Sequence, residues 1–353
     1  MGYRTLKRSD MRIKIYTFLI FLAVIFLFFT ENDNYNGTVS KEDDILQQLD
    51  SEMGQGLKDI YGRKIFIMDL APENKKYVLQ PEVACAVESL ALQNPEREIL
   101  FFSVDARKVI GETFLYAIDF YPNAHIVKGK LSDMIKNTEL EKWMIESDIQ
   151  KYPERLLTVL SYLTLWKHGG TYFDKDVIAL KPLSELPINF AGIQEISNIT
   201  TVSNAVMDFH NQGLAHKIMD GIINHIPNIY NSTDPDKSIG SELITKHLQN
   251  FCNHTNFTKH ETLPLSCGGF SVLDLKAFNP INLENTVESL LKTKVSNDTT
   301  ILNTLNNTVV LHYYTKHLKR EIIFQDFANT NLGMLYQKYC PKTYEMIIGF
   351  QTT

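Results

Sequence analysis

Two carboxylates stand two residues apart at the end of a short apolar run, directly after a pair of glycines. The segment is Lys167–Asp176, KHGGTYFDKD, and its acidic residues are Asp174 and Asp176. If residues 172–176 are extended, side chains two positions apart point to the same side, so both carboxylates converge on one point. Such an oxygen-rich pair suits a hard divalent cation, Mn²⁺ or Mg²⁺. A cation held there can bind a nucleotide diphosphate and neutralise the charge that appears when the diphosphate leaves.

The residues before this pair strengthen the interpretation. Apolar residues with helical spacing run from Leu156 to Trp166, straight into Gly169 and Gly170. A bare Asp-x-Asp is most often a solvated turn, but a helix, a glycine pair, an aromatic strand and Asp-x-Asp in this order favour a metal and diphosphate site. The glycines are expected to end the helix, where a positive φ is wanted. They would also let a nucleotide approach the backbone, although the helix-ending role alone explains both.

Two further residues are candidates for the same site. His312 follows an apolar run that starts at Thr308, and imidazole is a good ligand for a transition metal such as manganese. A histidine at a strand end that makes ordinary hydrogen bonds is an equally open interpretation. Asp69 follows the first strand, where it is either a carboxylate that binds the donor substrate or an acidic residue that starts a loop.

Strand and helix patterns alternate from Lys64 onward, which predicts an α/β fold with a mostly parallel sheet flanked by helices. The predicted strands span 64–68, 98–104, 124–127 and 308–314, and the predicted helices span 82–93, 156–167, 217–226, 241–251 and 332–339. Residues 113–118 fit either state. Ligands of open α/β sheets gather at the carboxyl ends of the strands, which is where the Asp-x-Asp pair is expected.

The N-terminus has the pattern of a membrane anchor. Five basic residues precede an apolar run from Ile15 to Phe29, and Glu31 and Asp33 follow it. No small-x-small cleavage pattern closes the run, so a type II signal anchor is favoured over a cleaved signal peptide. Basic residues on the N-terminal flank keep that end cytoplasmic. The predicted organisation is a cytoplasmic tail (1–14), a transmembrane helix (15–30), a luminal stem (31–60) and one globular domain (61–353).

Composition and modification motifs agree with a luminal globular protein. Of the 353 residues 44% are hydrophobic, which is enough for a sizeable core, and the net charge of −6 gives no support for a nucleic-acid partner. Seven acceptor motifs for N-glycosylation are present. Their asparagines are Asn36, Asn198, Asn231, Asn253, Asn256, Asn297 and Asn306.

Four cysteines, Cys85, Cys252, Cys267 and Cys340, are compatible with two disulfides in an oxidising lumen. Four cysteines allow three pairings. The proximity of Cys252 and Cys267 in the sequence favours that pair. The Cys-x-x-Cys spacing of a zinc site is absent from the sequence.

The residues around the Asp-x-Asp pair resemble a known family. The stretch Tyr162–Asp176, YLTLWKHGGTYFDKD, looks like the core of the lactosylceramide 4-alpha-galactosyltransferase and alpha-1,4-N-acetylglucosaminyltransferase family, glycosyltransferase family 32. The segments Ala84–Ser89, Cys267–Phe270 and Tyr339–Pro341 also fall in the family's order. The resemblance covers about residues 64–342, which is nearly the whole luminal part.

This resemblance implies a GT-A fold, a Golgi membrane location and retaining, metal-dependent transfer from a UDP-sugar. The implied cofactor is Mn²⁺ or Mg²⁺, and the implied partners are a UDP-sugar and a glycolipid or glycoprotein galactoside that accepts galactose or an N-acetylhexosamine in alpha-1,4 linkage. A homodimer is retained as an expectation to be tested. By carry-over, Asp174 contacts the ribose or the ion, Asp176 binds the ion, and His312 matches the family's late histidine.

The chain departs from the family in the helix before the glycines. The family's Ser-Asp-x-x-Arg holds the donor sugar's hydroxyls, but here Thr158 stands where Asp is expected and Ser161 where Arg is expected. Losing a charged pair from a desolvated sugar site typically costs several kcal/mol. The metal and diphosphate half of the site is intact while the sugar half is altered. The alternative function is therefore a family member that binds UDP or a partner without catalysing transfer.

Overall fold

A computed structural model describes residues 64–72, 76–230, 239–254, 257, 264–292, 300–315 and 326–351. They belong to one compact unit, Asp59–Thr353. The predicted cytoplasmic tail, transmembrane helix and stem lie outside the described residues. Within the described part of the chain, every helix is too short or too polar to cross a membrane.

The described strands, in chain order, are β1 (Lys64–Leu70), β2 (Lys76–Val78), β3 (Glu98–Val104), β4 (Lys108–Ile110), β5 (Ala124–Gly129), β6 (Gly170–Phe173), β7 (Val177–Ala179), β8 (Phe190–Ile196), β9 (Ile199–Phe209), β10 (Leu265–Cys267), β11 (Phe270–Leu273) and β12 (Val310–His312). Eight of these described strands form a mixed central sheet in the order β10-β11-β8-β9-β6-β1-β3-β5. Two further two-stranded sheets pair β12 with β7 and β2 with β4.

The expected parallel arrangement holds for one half of the main sheet. Strands β6, β1, β3 and β5 pair in parallel, as β11 and β8 do. The pairs β6–β9, β8–β9 and β10–β11 are antiparallel. The sheet is therefore parallel-rich but mixed. The parallel strands β1 and β3 are almost continuously apolar because both faces of the sheet are covered.

Helices cover both faces of this sheet. In chain order they are α1 (Pro81–Gln93), α2 (Glu112–Asp119), α3 (Leu131–Ile135), α4 (Glu141–Glu146), α5 (Pro153–His168), α6 (Gly213–Ile229), α7 (Ser241–Cys252), α8 (Leu275–Phe278), α9 (Thr286–Leu291), α10 (Thr300–Thr304), α11 (Asn331–Tyr339) and α12 (Pro341–Gln351). Residues 113–118, which fitted either state, form α2. The strand predicted over 308–314 is shorter and is limited to β12.

The hairpin of β8 and β9 is an element that the sequence pattern did not predict. Its turn residues Ser197 and Asn198 both have positive φ, 49° and 62°, as a two-residue type I′ turn requires. Asn198 is exposed in this turn, and Asn253 and Asn306 are also exposed. The other four acceptor asparagines, Asn36, Asn231, Asn256 and Asn297, lie outside the described residues.

Two disulfides join Cys85 to Cys340 and Cys252 to Cys267. The second is the pair that the sequence favoured. The first connects α1 to the residue between α11 and α12, and it lies within an apolar cluster that also contains Ile178 of β7 and Leu311 of β12. The C-terminal helices are thereby attached directly behind the β7–β12 pair.

A buried carboxylate strengthens the same attachment. Glu88, one turn after Cys85 on α1, is fully buried. Its carboxylate accepts hydrogen bonds from the backbone N–H groups of Lys342 and Thr343, at 2.8 Å each, and from the Thr343 hydroxyl. It also accepts one from the Tyr121 hydroxyl at 2.9 Å. These bonds satisfy amide groups at the N-terminus of α12, where no intrahelical acceptor exists.

We predict that Glu88→Gln lowers the free energy of unfolding by about 2–3 kcal/mol, because an amide cannot accept all of these bonds and brings donors against N–H groups. Chemical denaturation with the disulfides intact measures the change. Glu345→Gln is the matched control, since Glu345 is exposed and bonds only the Lys342 side chain among the contacts described. Equal stability of Glu88→Gln and wild type would contradict this role for Glu88.

Candidate active site

The site lies at the carboxyl edge of the parallel strands. Strands β1 and β6 are neighbours in parallel register, with Ile67 opposite Phe173, so the residues that follow them emerge at the same edge. Asp69 lies near the end of β1, where its Oδ2 accepts hydrogen bonds from the Tyr77 hydroxyl at 2.8 Å and from Lys175 Nζ at 2.6 Å. Lys175 is the residue between the two aspartates, so an ion pair links Asp69 to the Asp-x-Asp segment.

The glycine pair has a structural role here. Gly169 follows α5 with φ +66°, a left-handed value that favours glycine. Gly170 has φ +100°, and a Cβ at this position would lie 2.7 Å from the Lys64 carbonyl oxygen. The absence of a side chain at Gly170 thus permits β6 to approach β1. The helix-ending role predicted for the pair accounts for Gly169, and close strand approach accounts for Gly170.

Asp174 is held by its backbone and its carboxylate. Its N–H donates to the Ala205 carbonyl on β9 at 2.8 Å. Its Oδ1 accepts the Tyr172 hydroxyl at 2.9 Å. Burial and then the nearby charge of Asp174 raise the pKa of Tyr172 well above its ordinary value, so Tyr172 stays a hydrogen-bond donor. Asp174 is half-buried, so the carboxylate remains open to a ligand.

Asp176 has a denser set of partners. Its Oδ1 lies 3.2 Å from His312 Nε2, and its Oδ2 accepts the Thr315 backbone N–H at 2.8 Å and the Thr315 hydroxyl at 3.1 Å. Its carbonyl accepts the Tyr313 N–H, which ties it to the chain just after β12. Burial alone would raise the pKa of Asp176, but the charge of His312 and hydrogen bonds from His312 and Thr315 outweigh burial and hold that pKa well below its ordinary value.

The carboxylates converge, but not by strand alternation. Strand β6 ends at Phe173 and a bend follows at Lys175 and Asp176, so the predicted extended conformation over 172–176 stops three residues early. Strand β7 then starts at Val177 and pairs with β12 so that Val177 lies opposite His312. This antiparallel register, rather than the spacing of the aspartates alone, brings an imidazole to the pair.

Asp174, Asp176 and His312 form a group that fits a divalent cation. Each offers one ligand atom, and these three atoms lie within 4.8 Å of one another. Two carboxylates and one imidazole are suitable ligands for Mn²⁺, while Mg²⁺ prefers oxygen ligands alone. The two hydrogen bonds from Thr315 favour the ionised form of the Asp176 carboxylate, which is the form that a metal requires.

Helix α5 contains the two positions, Thr158 and Ser161, at which the chain departs from the family. Thr158 is half-buried, and its hydroxyl donates to the Glu154 carbonyl at 3.1 Å. Ser161 is fully buried, and its hydroxyl donates to the Thr158 carbonyl at 2.8 Å. Both hydroxyls therefore bond to the backbone of their own helix, as Ser and Thr often do within helices. Tyr162, the next residue, donates to the Gly240 carbonyl at 3.1 Å and lies close enough to Asp174 for its charge to raise the tyrosine pKa further after burial.

The sequence analysis missed several residues of the site. Tyr172, Lys175 and Thr315 bond the acidic residues, and each is an ordinary residue type in its local context. Tyr172 and Lys175 lie inside the Asp-x-Asp segment. Their closeness in sequence to two candidate ligands was the signal that could have identified them. Thr315 is 139 residues from Asp176, and only the pairing of β7 with β12 brings it near.

Two family models match this chain. Residues 80–195 match the glycosyltransferase sugar-binding region containing DXD motif, and residues 211–347 match the alpha 1,4-glycosyltransferase conserved region. The first region contains Asp174 and Asp176, and the second contains His312. The candidate metal-binding group of Asp174, Asp176 and His312 is thus assembled from both regions. A family with the DXD region implies a divalent metal and a nucleotide-sugar donor.

Curated relatives agree with these matches. Alpha-1,4-N-acetylglucosaminyltransferase of Homo sapiens is 28% identical over 75% of this chain and 76% of its own length. Lactosylceramide 4-alpha-galactosyltransferase of Rattus norvegicus is 26% identical over 74% of this chain and 70% of its own length. The resemblance recognised from the sequence is therefore confirmed, and these matches also show the enzyme class, a hexosyltransferase.

Among solved structures, the apo-form glycosyltransferase GlyE of Streptococcus pneumoniae is similar with a TM-score of 0.44 at 12% identity, over 83% of this chain and 63% of that one. The mixed, parallel-rich α/β fold rests on the strand order and pairing described above.

We predict that Gly170→Ala lowers the free energy of unfolding by about 1–3 kcal/mol or more, because it combines an unfavourable φ with a contact against the Lys64 carbonyl. Chemical denaturation measures the loss. Gly349→Ala on α12 is the control, since a Cβ there meets nothing within 4 Å. If both alanine variants have the same stability, close approach of β6 to β1 does not require glycine.

Proposed function

Because this chain carries both conserved regions of the DXD-containing alpha-1,4-glycosyltransferases, we propose that it transfers galactose or an N-acetylhexosamine from a UDP-sugar to a galactoside. The new bond would be an alpha-1,4 linkage, formed with retention, on a glycolipid such as lactosylceramide or on a glycoprotein. The observation that carries the proposal is the group of Asp174, Asp176 and His312 at the carboxyl edge of the sheet. The linkage is supported by the names of the relatives, and retention by the family resemblance.

The two aspartates and the histidine have separate roles in this proposal. Asp176 and His312 would hold the cation, Mn²⁺ in preference to Mg²⁺ because one ligand is an imidazole. Asp174 would contact the ion or the ribose of the nucleotide. The chemistry that a bound divalent cation supplies at such a site is neutralisation of the diphosphate as the glycosidic bond breaks.

The chain's own residues hold the carboxylates in place before a donor binds. Tyr172 fixes one oxygen of Asp174, and Thr315 fixes one oxygen of Asp176 with two hydrogen bonds. Side chains that are fixed in advance do not have to be ordered when charge develops, so their electrostatic effect on the transition state is larger. Lys175 adds a positive charge beside Asp69, which leaves that acidic residue compensated rather than free to repel a diphosphate.

The alternative of binding without transfer is not favoured. It was motivated by Thr158 and Ser161, which lie on α5. That helix falls wholly within the matched sugar-binding region, and the similarity to named transferases extends over about three quarters of the chain. Loss of two side chains in an otherwise matching region supports a changed donor-sugar contact more than loss of the activity.

Turnover measures the proposal directly. We expect the purified luminal part to release UDP from UDP-galactose, UDP-N-acetylgalactosamine or UDP-N-acetylglucosamine only with a galactoside acceptor and only with added Mn²⁺. Asp176→Asn should lower this rate by about 10²-fold or more, since it removes a charged ligand and a charge-assisted contact with His312. Asp133→Asn, at an exposed helix position, is the matched control.

The choice of donor and acceptor follows from the same experiment. A product with one of the three sugars identifies the donor, and its digestion by a linkage-specific glycosidase identifies the linkage. UDP and metal binding without turnover on glycolipid and glycoprotein galactosides would favour the binding-only alternative and contradict the proposed transfer.

We further propose a Golgi membrane location with type II topology and a luminal catalytic domain. Support comes from the basic and apolar N-terminal pattern, from two disulfides, and from exposed acceptor asparagines such as Asn198. The full chain expressed in a eukaryotic cell should lose mass on treatment with an N-glycosidase, and Asn198→Gln should reduce the glycan number by one. A protein that carries no glycans and stays in the supernatant when the membranes are sedimented would contradict this location. Light scattering of the purified protein tests the expected homodimer.

A further inference from the structure

Asn279 lies next to the imidazole ring of His312, and the sequence analysis did not identify it as a candidate site residue. It is 4% exposed and follows α8. Its Nδ2 donates to the Ile193 carbonyl on β8 at 3.1 Å, and its Oδ1 accepts the Tyr314 hydroxyl at 2.9 Å. The same Oδ1 lies 3.3 Å from His312 Nδ1. One buried amide therefore links β8, α8 and β12.

The orientation of this amide is determined by its partner on β8. A carbonyl can only accept, so the NH₂ group of Asn279 must face Ile193 and the amide oxygen must face His312. Strand β11 ends opposite Gly192. The next residue of β8 is Ile193, whose backbone carbonyl accepts the hydrogen bond from the Asn279 amide. A Cβ at Gly192 would collide with the Phe278 ring, so glycine allows α8 to pack close to β8 and carry Asn279 into place.

The amide oxygen then determines which ring nitrogen of His312 carries hydrogen. An acceptor at Nδ1 requires Nδ1–H, so in the neutral ring the lone pair is on Nε2. Nε2 is the nitrogen that lies 3.2 Å from Asp176 Oδ1 and belongs to the group that fits a cation. Histidines that bind metals usually donate their other N–H to such an acceptor, which fixes the ring and increases its basicity as a ligand.

We propose that Asn279 is a positioning residue that fixes the tautomer and orientation of His312 for a divalent cation shared with Asp176. This inference rests on the proposed function, because it assigns a role at the same site. Asn279 itself would not contact the cation, because its amide atoms bond Ile193, His312 and Tyr314. Tyr314 supports this arrangement of Asn279 and His312. Its hydroxyl donates to the same Asn279 oxygen, and the centroid of its ring lies 4.1 Å from that of the His312 ring.

Two substitutions separate this role from a merely structural one. Asn279→Leu and Asn279→Asp both remove the donor to the Ile193 carbonyl, so both should lower the melting temperature. Only Asn279→Asp keeps an acceptor for His312 Nδ1. Calorimetry of Mn²⁺ binding in the presence of UDP should show an affinity loss of about 10- to 100-fold in Asn279→Leu. Asn279→Asp should bind Mn²⁺ at least as tightly as wild type.

A double-mutant cycle with His312→Ala tests the path of the effect. If Asn279 acts through His312, Asn279→Leu should cause no further loss of Mn²⁺ affinity in the His312→Ala background. Asn279→Ala, which also lacks the acceptor and cannot clash, replaces the leucine variant if that variant does not fold.

The outcomes distinguish this inference from the proposed function. Wild-type protein that binds no Mn²⁺ with UDP would overturn both. Wild-type binding with equal losses in Asn279→Leu and Asn279→Asp, or a further loss in the His312→Ala background, would overturn the role of Asn279 alone.

Discussion

A buried carboxylate and a buried imidazole face each other across the two halves of this chain, and the site depends on that contact. Asp176 and His312 are 8% and 6% exposed, and their polar atoms approach to 3.2 Å. A buried charge is costly unless it is paired and hydrogen-bonded, which is why Thr315 adds two bonds to the same carboxylate. The pair therefore brings the two matched family regions together at one point.

The surrounding fold keeps this contact in register. Strands β7 and β12 lie between two apolar clusters, with Val177 and Val310 in one and Ile178 and Leu311 in the other. Alternation along a strand sends successive side chains to opposite sides, so both strands are held from both faces. The second cluster contains the Cys85–Cys340 disulfide, and Glu88 attaches the last helix nearby. A one-residue slip of either strand would exchange the two clusters and move His312 away from Asp176.

The sequence predicted the parts of this site that have a local pattern. Asp174 and Asp176 have a motif, the parallel strands β1 and β3 have apolar runs, and His312 ends an apolar run. The hairpin of β8 and β9 was missed because its turn uses Ser197 and Asn198 rather than the Asn-Gly or Asp-Gly signal. Asn279 and Thr315 had no pattern at all. Their roles arise only when strand pairing brings distant positions together. Asn279 is 33 residues from His312 in the sequence, and Thr315 is 139 residues from Asp176.

We propose that Asp176 and His312 share a divalent cation at the carboxyl edge of the sheet. Crystals of the compact unit Asp59–Thr353 grown with UDP and Mn²⁺ test this most directly, through anomalous diffraction measured at the manganese absorption edge. We expect one strong anomalous peak within coordinating distance of the Asp176 carboxylate and His312 Nε2, next to the diphosphate. A UDP molecule bound without such a peak, or a manganese ion coordinated by other side chains, would contradict it.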